Sequence, residues 1–321
     1  MNGWISLWGF MLIAAGLLAQ DVELYRARRY GAMAKECLRV TDQDGRPIRD
    51  AKIWGGIKTG EGIDDFTPIS GMTDANGEYL IQGRCTGRIR CDIMKDGYYP
   101  SELCLENYEY SHCVTNGVWY PFGVQRIVKM RRIMKPGRSC AFPNRLRNWR
   151  IPEYDRWIGF DLERSEWVPP YGKGKHSDVL LRFSAVKRGM HDYRYVMDVT
   201  FTNNPYAGAY RLKKAKSSKL TTEYEADSNA TYQTSFSFMS EQIPGQPRHW
   251  DFLDRDSYLV FRTRTRVDEH GHLTGAHYGK ILGRWLSGME SMILSDGCFN
   301  PTENDVNIED STCLREVLRN L

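Results

Sequence analysis

No two of the eight cysteines stand at C-x-x-C spacing, which removes the common zinc-ribbon and dithiol redox readings. H-E-x-x-H, G-x-S-x-G and a glycine-rich phosphate loop are also missing, so a zincin, an α/β-hydrolase and a P-loop enzyme are not indicated. Long apolar runs are scarce too. The uncharged stretch Asn2–Ala19 is shorter than the ~20 residues that a helix needs to cross a bilayer, and it carries no Lys or Arg. Because small residues lie near Ala19 and Gln20-Asp21 follow at once, it reads as a secretory signal peptide over residues 1–19, with an uncleaved anchor as the alternative. No cysteine ends the run, so a lipoprotein anchor is not indicated. The expectation is an exported chain, periplasmic or extracellular, with no transmembrane segment after signal removal.

Acid is missing from one long stretch. Between Tyr110 and Pro152 there is no Asp or Glu but there are nine basic residues, Arg126, Lys129, Arg131, Arg132, Lys135, Arg138, Arg145, Arg147 and Arg150. With a formal net charge of +4 for the whole chain, the remainder is 4 minus 9, or −5. Such a block reads as a strand over Val124–Met134 with outward basic side chains, followed by a linker marked by Pro136-Gly137 and Pro143. The competing reading is a polyanion site at Arg126, Lys129, Arg131 and Arg132. Nucleic acid is not expected, since the protein is read as exported and the aromatics are not interleaved at base-stacking spacing.

What is abundant is turn chemistry between short alternating strands. Asp44-Gly45 and Asn76-Gly77 supply residue pairs that reach positive φ at little cost. Around them Leu38 and Val40, then Ile48, Ala51 and Ile53, then Tyr79 and Ile81, then Ile89, Cys91 and Ile93 alternate with period two. Several such strands at short spacing predict a β-sandwich. Gly45, Pro47, Ala51, Thr73, Asp74, Gly77, Gly97 and Tyr98 together resemble the pattern of the carboxypeptidase regulatory-like domain, a transthyretin-like, Ig-type β-sandwich, over roughly Cys37–Met134. That resemblance implies a fold and a non-catalytic module, and it brings no catalytic residue with it.

Export makes the cysteines candidates for bridges. Six of them, Cys37, Cys85, Cys91, Cys104, Cys113 and Cys140, fall in the first half, where the sequence leaves the connectivity open, as bridges or as buried thiols. The simplest partition closes the remaining two, Cys298 with Cys313, across a segment whose Asn300-Pro301 and Asn304-Asp305 can fold back.

From Trp157 the segment WIGFDLERSEWVPPYGKGKHSD is rich in aromatics, Gly and Pro, with Pro169-Pro170 as a breaker. The division expected is a signal over 1–19, a sandwich over 20–134, a basic, Pro/Gly-containing linker over 135–175 and a second antiparallel β domain over 176–321. Strands are expected at Asp178–Val186, Tyr193–Phe201, Thr231–Met239, Tyr258–Val267 and Ala276–Trp285. Around His270-Gly271, Leu259, Phe261, Thr263, Thr265 and Val267 would share one face of a half-solvated hairpin, and Arg262, Arg264 and Arg266 the other. That segment, with FNPTENDVNIED, resembles the C-terminal part of bacterial exported proteins that carry the regulatory-like domain upstream, which implies architecture only. Leu314, Val317, Leu318 and Leu321 at helical spacing predict a short C-terminal helix. The fold class is therefore all-β.

Few groups suggest chemistry. His270, His272 and His277, expected together at the hairpin tip, are weak metal candidates, and an exposed polar turn accounts for them as well. Asp42, Asp44, Asp74 and Asn76 look like pieces of calcium loops, but neither stretch continues to the closing Glu. No cofactor is expected. Trp and Tyr together number 27; such rings fill cores, and some line carbohydrate-binding faces by stacking on sugar rings. The leading reading is a non-catalytic exported binding or structural protein whose partner is carbohydrate or another cell-envelope protein. The alternative is a polysaccharide hydrolase with paired carboxylates in the second domain.

Overall fold

The structure, a computed structural model, describes residues 21–106, 114–136, 148–202, 206–215, 218–251, 256–282, 291–293 and 297–309. The expected signal peptide, C-terminal helix, Cys113, Cys140 and Cys313 lie outside the described residues. The fold is all-β, with one short helix among the described residues, α1, over 21–30. Among the described residues no helix is long and apolar enough to cross a membrane. The chain forms two compact units, one reaching Ile133 and including Ser218 and Lys219, the other starting at Met134.

The first unit contains β1 (Ala32–Thr41), β2 (Lys52–Lys58), β3 (Phe66–Met72), β4 (Glu78–Cys85), β5 (Arg88–Met94), β6 (Ser101–Glu106), β7 (Val114–Thr115), β8 (Val118–Trp119) and β9 (Val124–Lys129). One sheet has β1 between antiparallel β4 and parallel β9, with β8 and β7 beyond; the other runs β3-β2-β5-β6. The period-two pattern closes the core. Leu38, Val40, Ile81 and Val128 from the first sheet meet Ile53, Ile57, Ile89, Cys91 and Ile93 from the second. Trp119 is buried with them, its indole N–H donating to Cys85 O at 2.7 Å.

Both predicted turns form, and a third repeats them. In Asp42-Gln43-Asp44-Gly45, Asp42 Oδ1 accepts from the N–H groups of Asp44 and Arg46, both at 2.9 Å. Asp74 Oδ1 does the same for Asn76 and Glu78, and Asp268 Oδ1 for His270 and His272. Each turn places its glycine, Gly45, Gly77 or Gly271, at φ of 82°, 73° or 81°. Two of the carboxylates that look like calcium ligands, Asp42 and Asp74, thus accept backbone N–H donors of their own turns. Between the first two turns, Thr73 Oγ1 donates to Ile48 O at 2.6 Å and accepts from Ala51 N at 2.9 Å.

The second unit contains β10 (Asn148–Arg150), β11 (Trp157–Asp161), β12 (Glu166–Trp167), β13 (Val179–Gly189), β14 (Asp192–Phe201), β15 (Gly208–Lys213), β16 (Ser235–Gln242), β17 (His249–Asp251), β18 (Ser257–Val267), β19 (Leu273–Leu282), β20 (Ser291–Ile293) and β21 (Gly297–Phe299). Three sheets result: β12-β11-β13-β14-β16-β17, β15-β18-β19-β21, and the pair β10-β20. The stretch 135–175, expected as a linker, supplies β10, β11 and β12. Its breaker Pro169-Pro170 falls in the loop after β12 and does not keep the preceding residues from pairing with β13.

Phe160, Phe183, Met197, Phe201 and Phe238 of the large sheet pack against Leu259, Phe261, Ile281 and Phe299 of the four-stranded sheet. On the opposite face of that second sheet, Val260, Ala276, Tyr278 and Cys298 pack with Ala226, Tyr232 and Ile308. The four-stranded sheet is therefore covered on both faces. The half-solvated hairpin expected from its arginines is corrected accordingly.

Candidate ligand cleft

The three hairpin arginines have separate fates. Arg262 is buried, its guanidinium 4.0 Å from the Tyr232 ring and its Nε donating to Tyr206 O at 2.7 Å. At Arg264 a β-bulge interrupts the β18–β19 register, and the residue adopts φ 51°. The extra residue turns Arg264 to the side on which Thr263 Oγ1 already meets Asp178, so the expected alternation ends there. Arg266 remains exposed and pairs with Glu303.

Arg264 joins two carboxylates that have no exposure to solvent. Its Nε donates to Asp178 Oδ1 at 2.8 Å and its Nη2 to Asp178 Oδ2 at 3.0 Å, while Asp161 Oδ1 lies 3.4 Å from Nη2. Glu163 caps the guanidinium at 2.5 Å from its solvent side. The same acids hold the chain between β11 and β13: Asp161 accepts from Arg164, Lys175 and His176 N–H groups, and Asp178 from Leu162 N–H. Burial pushes the Asp178 carboxyl above its usual range, against the pull of Arg264.

The segment so held forms one side of a cleft of about 550 Å³, lined by Trp149, Arg150, Ile151, Pro152, Tyr154, Glu166, Trp167 and Tyr171. Trp149 and Trp167 are nearly buried, their indole N–H groups donating to Ser165 O at 2.8 Å and Arg150 O at 3.2 Å. Edge-to-face packing on Phe160, with centroids at 5.8 and 5.0 Å, fixes both rings. Tyr154 and Tyr171 are 38% and 37% exposed, so part of each ring remains open to a ligand. The Tyr171 hydroxyl donates to Glu153, which also pairs with Arg156; these bonds hold the Glu153 carboxyl below its usual range. The arrangement offers apolar rings in fixed positions, with a guanidinium and a carboxylate among the lining groups.

The sequence-derived histidines do not converge. His270 and His272 stand at the hairpin tip beside Glu269 and Asp268, whereas His277 lies within β19, stacked on Phe299 and with Nδ1 3.2 Å from Asn300 O. The pairing of His277 with Thr263 fixes that distance from the tip. Among the described residues, no group of three His, Cys, Asp or Glu side chains is placed to hold a metal ion.

Of the basic candidates, Arg126 donates to the buried Glu36 at 2.9 Å, and Arg132 to the buried Asp42 at 2.9 Å. Arg131 is half-buried and Lys129 exposed. Two of the four are therefore engaged with internal acids. Cys37, Cys85, Cys91 and Cys104 are free thiols, and burial pushes Cys91 up to about 12. Cys298 is fully buried, its Sγ 3.9 Å from Ile308 O; Cys313, the other half of its expected bridge, lies outside the described residues.

Sequence reasoning missed Trp149, Tyr154, Glu166, Trp167, Tyr171 and Arg264 as site residues. The available signal is the clustering of rings between Trp149 and Tyr171, in a stretch whose Pro and Gly residues read as a linker.

No protein-family model matches this sequence, and no curated protein matches it significantly. What stands of the regulatory-like resemblance is an all-β, two-sheet architecture. Among solved structures, the chain is similar to a 3-chlorocatechol 1,2-dioxygenase from Rhodococcus opacus, 12% identical over 33% of this chain and 62% of the dioxygenase, with a TM-score of 0.26. A DUF3823 family protein from Parabacteroides merdae is 9% identical over 87% of this chain and 99% of its own, with a TM-score of 0.21. A candidate carbohydrate-binding protein from Bacteroides uniformis is 8% identical over 85% of this chain and 98% of its own, with a TM-score of 0.18. At such TM-scores none of these likenesses carries an argument about what this chain binds.

Proposed function

We propose that this chain is a non-catalytic carbohydrate-binding protein of the cell exterior, and that the cleft of its second unit receives a sugar ring. The observation that supports this reading is the ring-lined cleft itself. Sugars present an apolar face of C–H groups and a rim of hydroxyls, so they suit a site that combines fixed aromatic rings with a few charged hydrogen-bonding groups. Placement outside the cytoplasm rests on the N-terminal apolar run, read as a signal peptide.

Binding is favoured over hydrolysis by the lining, which carries one carboxylate, Glu166, where a glycosidase needs a facing pair. A glycosidase acid must hold its proton, and so needs a raised pKa. Asp178, whose carboxyl is shifted upward by burial, is held against Arg264 and does not line the cleft. A glycan array probed with the full chain tests the reading. Retention of at least one glycan class is expected, with Tyr171→Ala weakening it roughly 10-fold, as loss of one stacked ring implies, at an unchanged melting temperature. Retention of no saccharide would overturn the reading, and so would release of reducing ends from a bound glycan.

A further inference from the structure

The second unit carries another set of rings, and strand register places it in line with the cleft. Asp155 N–H donates to Phe183 O at 2.7 Å, so the segment bearing Tyr154 runs beside β13. Across the sheet, Ala185 pairs with Tyr195, Tyr195 with Ser240, and Ser240 with Trp250. Directly paired residues point to the same side of a sheet, so Tyr195 and Trp250 stand on one face, two strand spacings or roughly 10 Å apart. Tyr193 stacks on Tyr195 at 4.9 Å between centroids. Arg248 bridges the outer pair, its guanidinium 3.7 Å from the Trp250 ring and 5.7 Å from Tyr193, while donating to Ser240 Oγ at 3.2 Å. Trp250 is 50% exposed on an edge strand. Tyr154 is also close enough to add to the upward shift of the Tyr195 hydroxyl, after burial and Tyr193, which supports continuity between the two ring groups.

We infer that the cleft is one end of an aromatic track and that the ligand is an extended saccharide chain, which leaves the cleft past Tyr154, crosses Tyr193 where it stacks on the buried Tyr195, and ends over Trp250. This rests on the carbohydrate reading of the cleft and adds the form of the ligand. Rings recurring along a row, with Arg248 between them held in place by the buried Ser240, match a polymer whose units repeat an apolar face and a hydroxyl rim. A pocket for a single sugar would need no ring as distant as Trp250.

The test is calorimetric titration of the full chain with disaccharide to hexasaccharide ladders of the backbone retained on the array. Affinity should rise roughly 10-fold or more with length, as the longer members engage additional rings. Trp250→Ala should remove that increment and leave disaccharide affinity unchanged; Trp250→Phe should keep most of it. Tyr171→Ala should weaken every member of the ladder. Length-independent binding, or a Trp250→Ala loss already complete at the disaccharide, would overturn the track while leaving the cleft reading in place. Binding of aromatic peptides on the same residues with no saccharide bound would overturn both.

Discussion

Arg264 is the residue on which the cleft depends without lining it. Its guanidinium is the shared cation of two buried carboxylates, and those carboxylates hold the backbone that carries Glu166, Trp167 and Tyr171. Removing the cation leaves buried charge uncompensated, which costs about 3–5 kcal/mol. Arg264→Met should therefore lower stability at neutral pH by about that amount. Part of the loss should be recoverable with acid. Burial already raises the Asp178 carboxyl, and losing Arg264 removes the group that lowers it, so the folded form of the variant takes up a proton more readily than the unfolded form. A raised folded-state pKa contributes stability that is full below the ordinary Asp range near 4 and is lost as pH rises. Denaturation at pH 4 and pH 8 checks the sign: the deficit relative to the unsubstituted chain should be smaller at pH 4. A deficit independent of pH would mean that lost packing, not unpaired charge, accounts for the cost.

Turns and bulges are the elements that separated what could be read in advance from what could not. The Asp-x-x-Gly turns are local, since one carboxylate and one left-handed glycine determine them, and the sequence displays both. Their surroundings still differ. A Cβ at Gly45 would meet nothing within 4 Å, whereas one at Gly77 would run into Val40 O and lie 3.1 Å from Ile48 N. Gly45→Ala should cost about 1–2 kcal/mol, the strain of a left-handed alanine, and Gly77→Ala distinctly more. Equal losses in chemical denaturation would refute the structural distinction between the two turns. Period-two alternation was equally legible, and the predicted inward positions Leu38, Val40, Ile53, Ile81 and Ile93 are buried. At Arg264 the same rule failed, because a bulge depends on what the partner strand and the acids beyond it require. The cleft was illegible for a related reason: its rings come from short strands and loops without periodicity, and turn residues in that segment imitate a linker.

At the scale of the whole molecule, each unit has its own apolar core, one built around Leu38 and Ile53 and the other around Phe261 and Phe201. Separate cores of this size allow separate unfolding. Scanning calorimetry should resolve two transitions, and Ile81→Ala, at a cost of about 3 kcal/mol, should move only one of them. A single transition shifted as a whole would show that the two cores melt together. The division in space is not a division in sequence, however. Lys219 N–H donates to Pro100 O at 2.9 Å, and Ser218 bridges Ser101, so the edge at β6 is completed by residues that come well after the second unit has begun. A gene fragment ending at Ile133 would encode a sandwich with that edge bare, ready to pair with another copy of itself. For recombination, natural or engineered, the first unit is therefore not a cassette: it could be inherited intact only together with a segment of its neighbour.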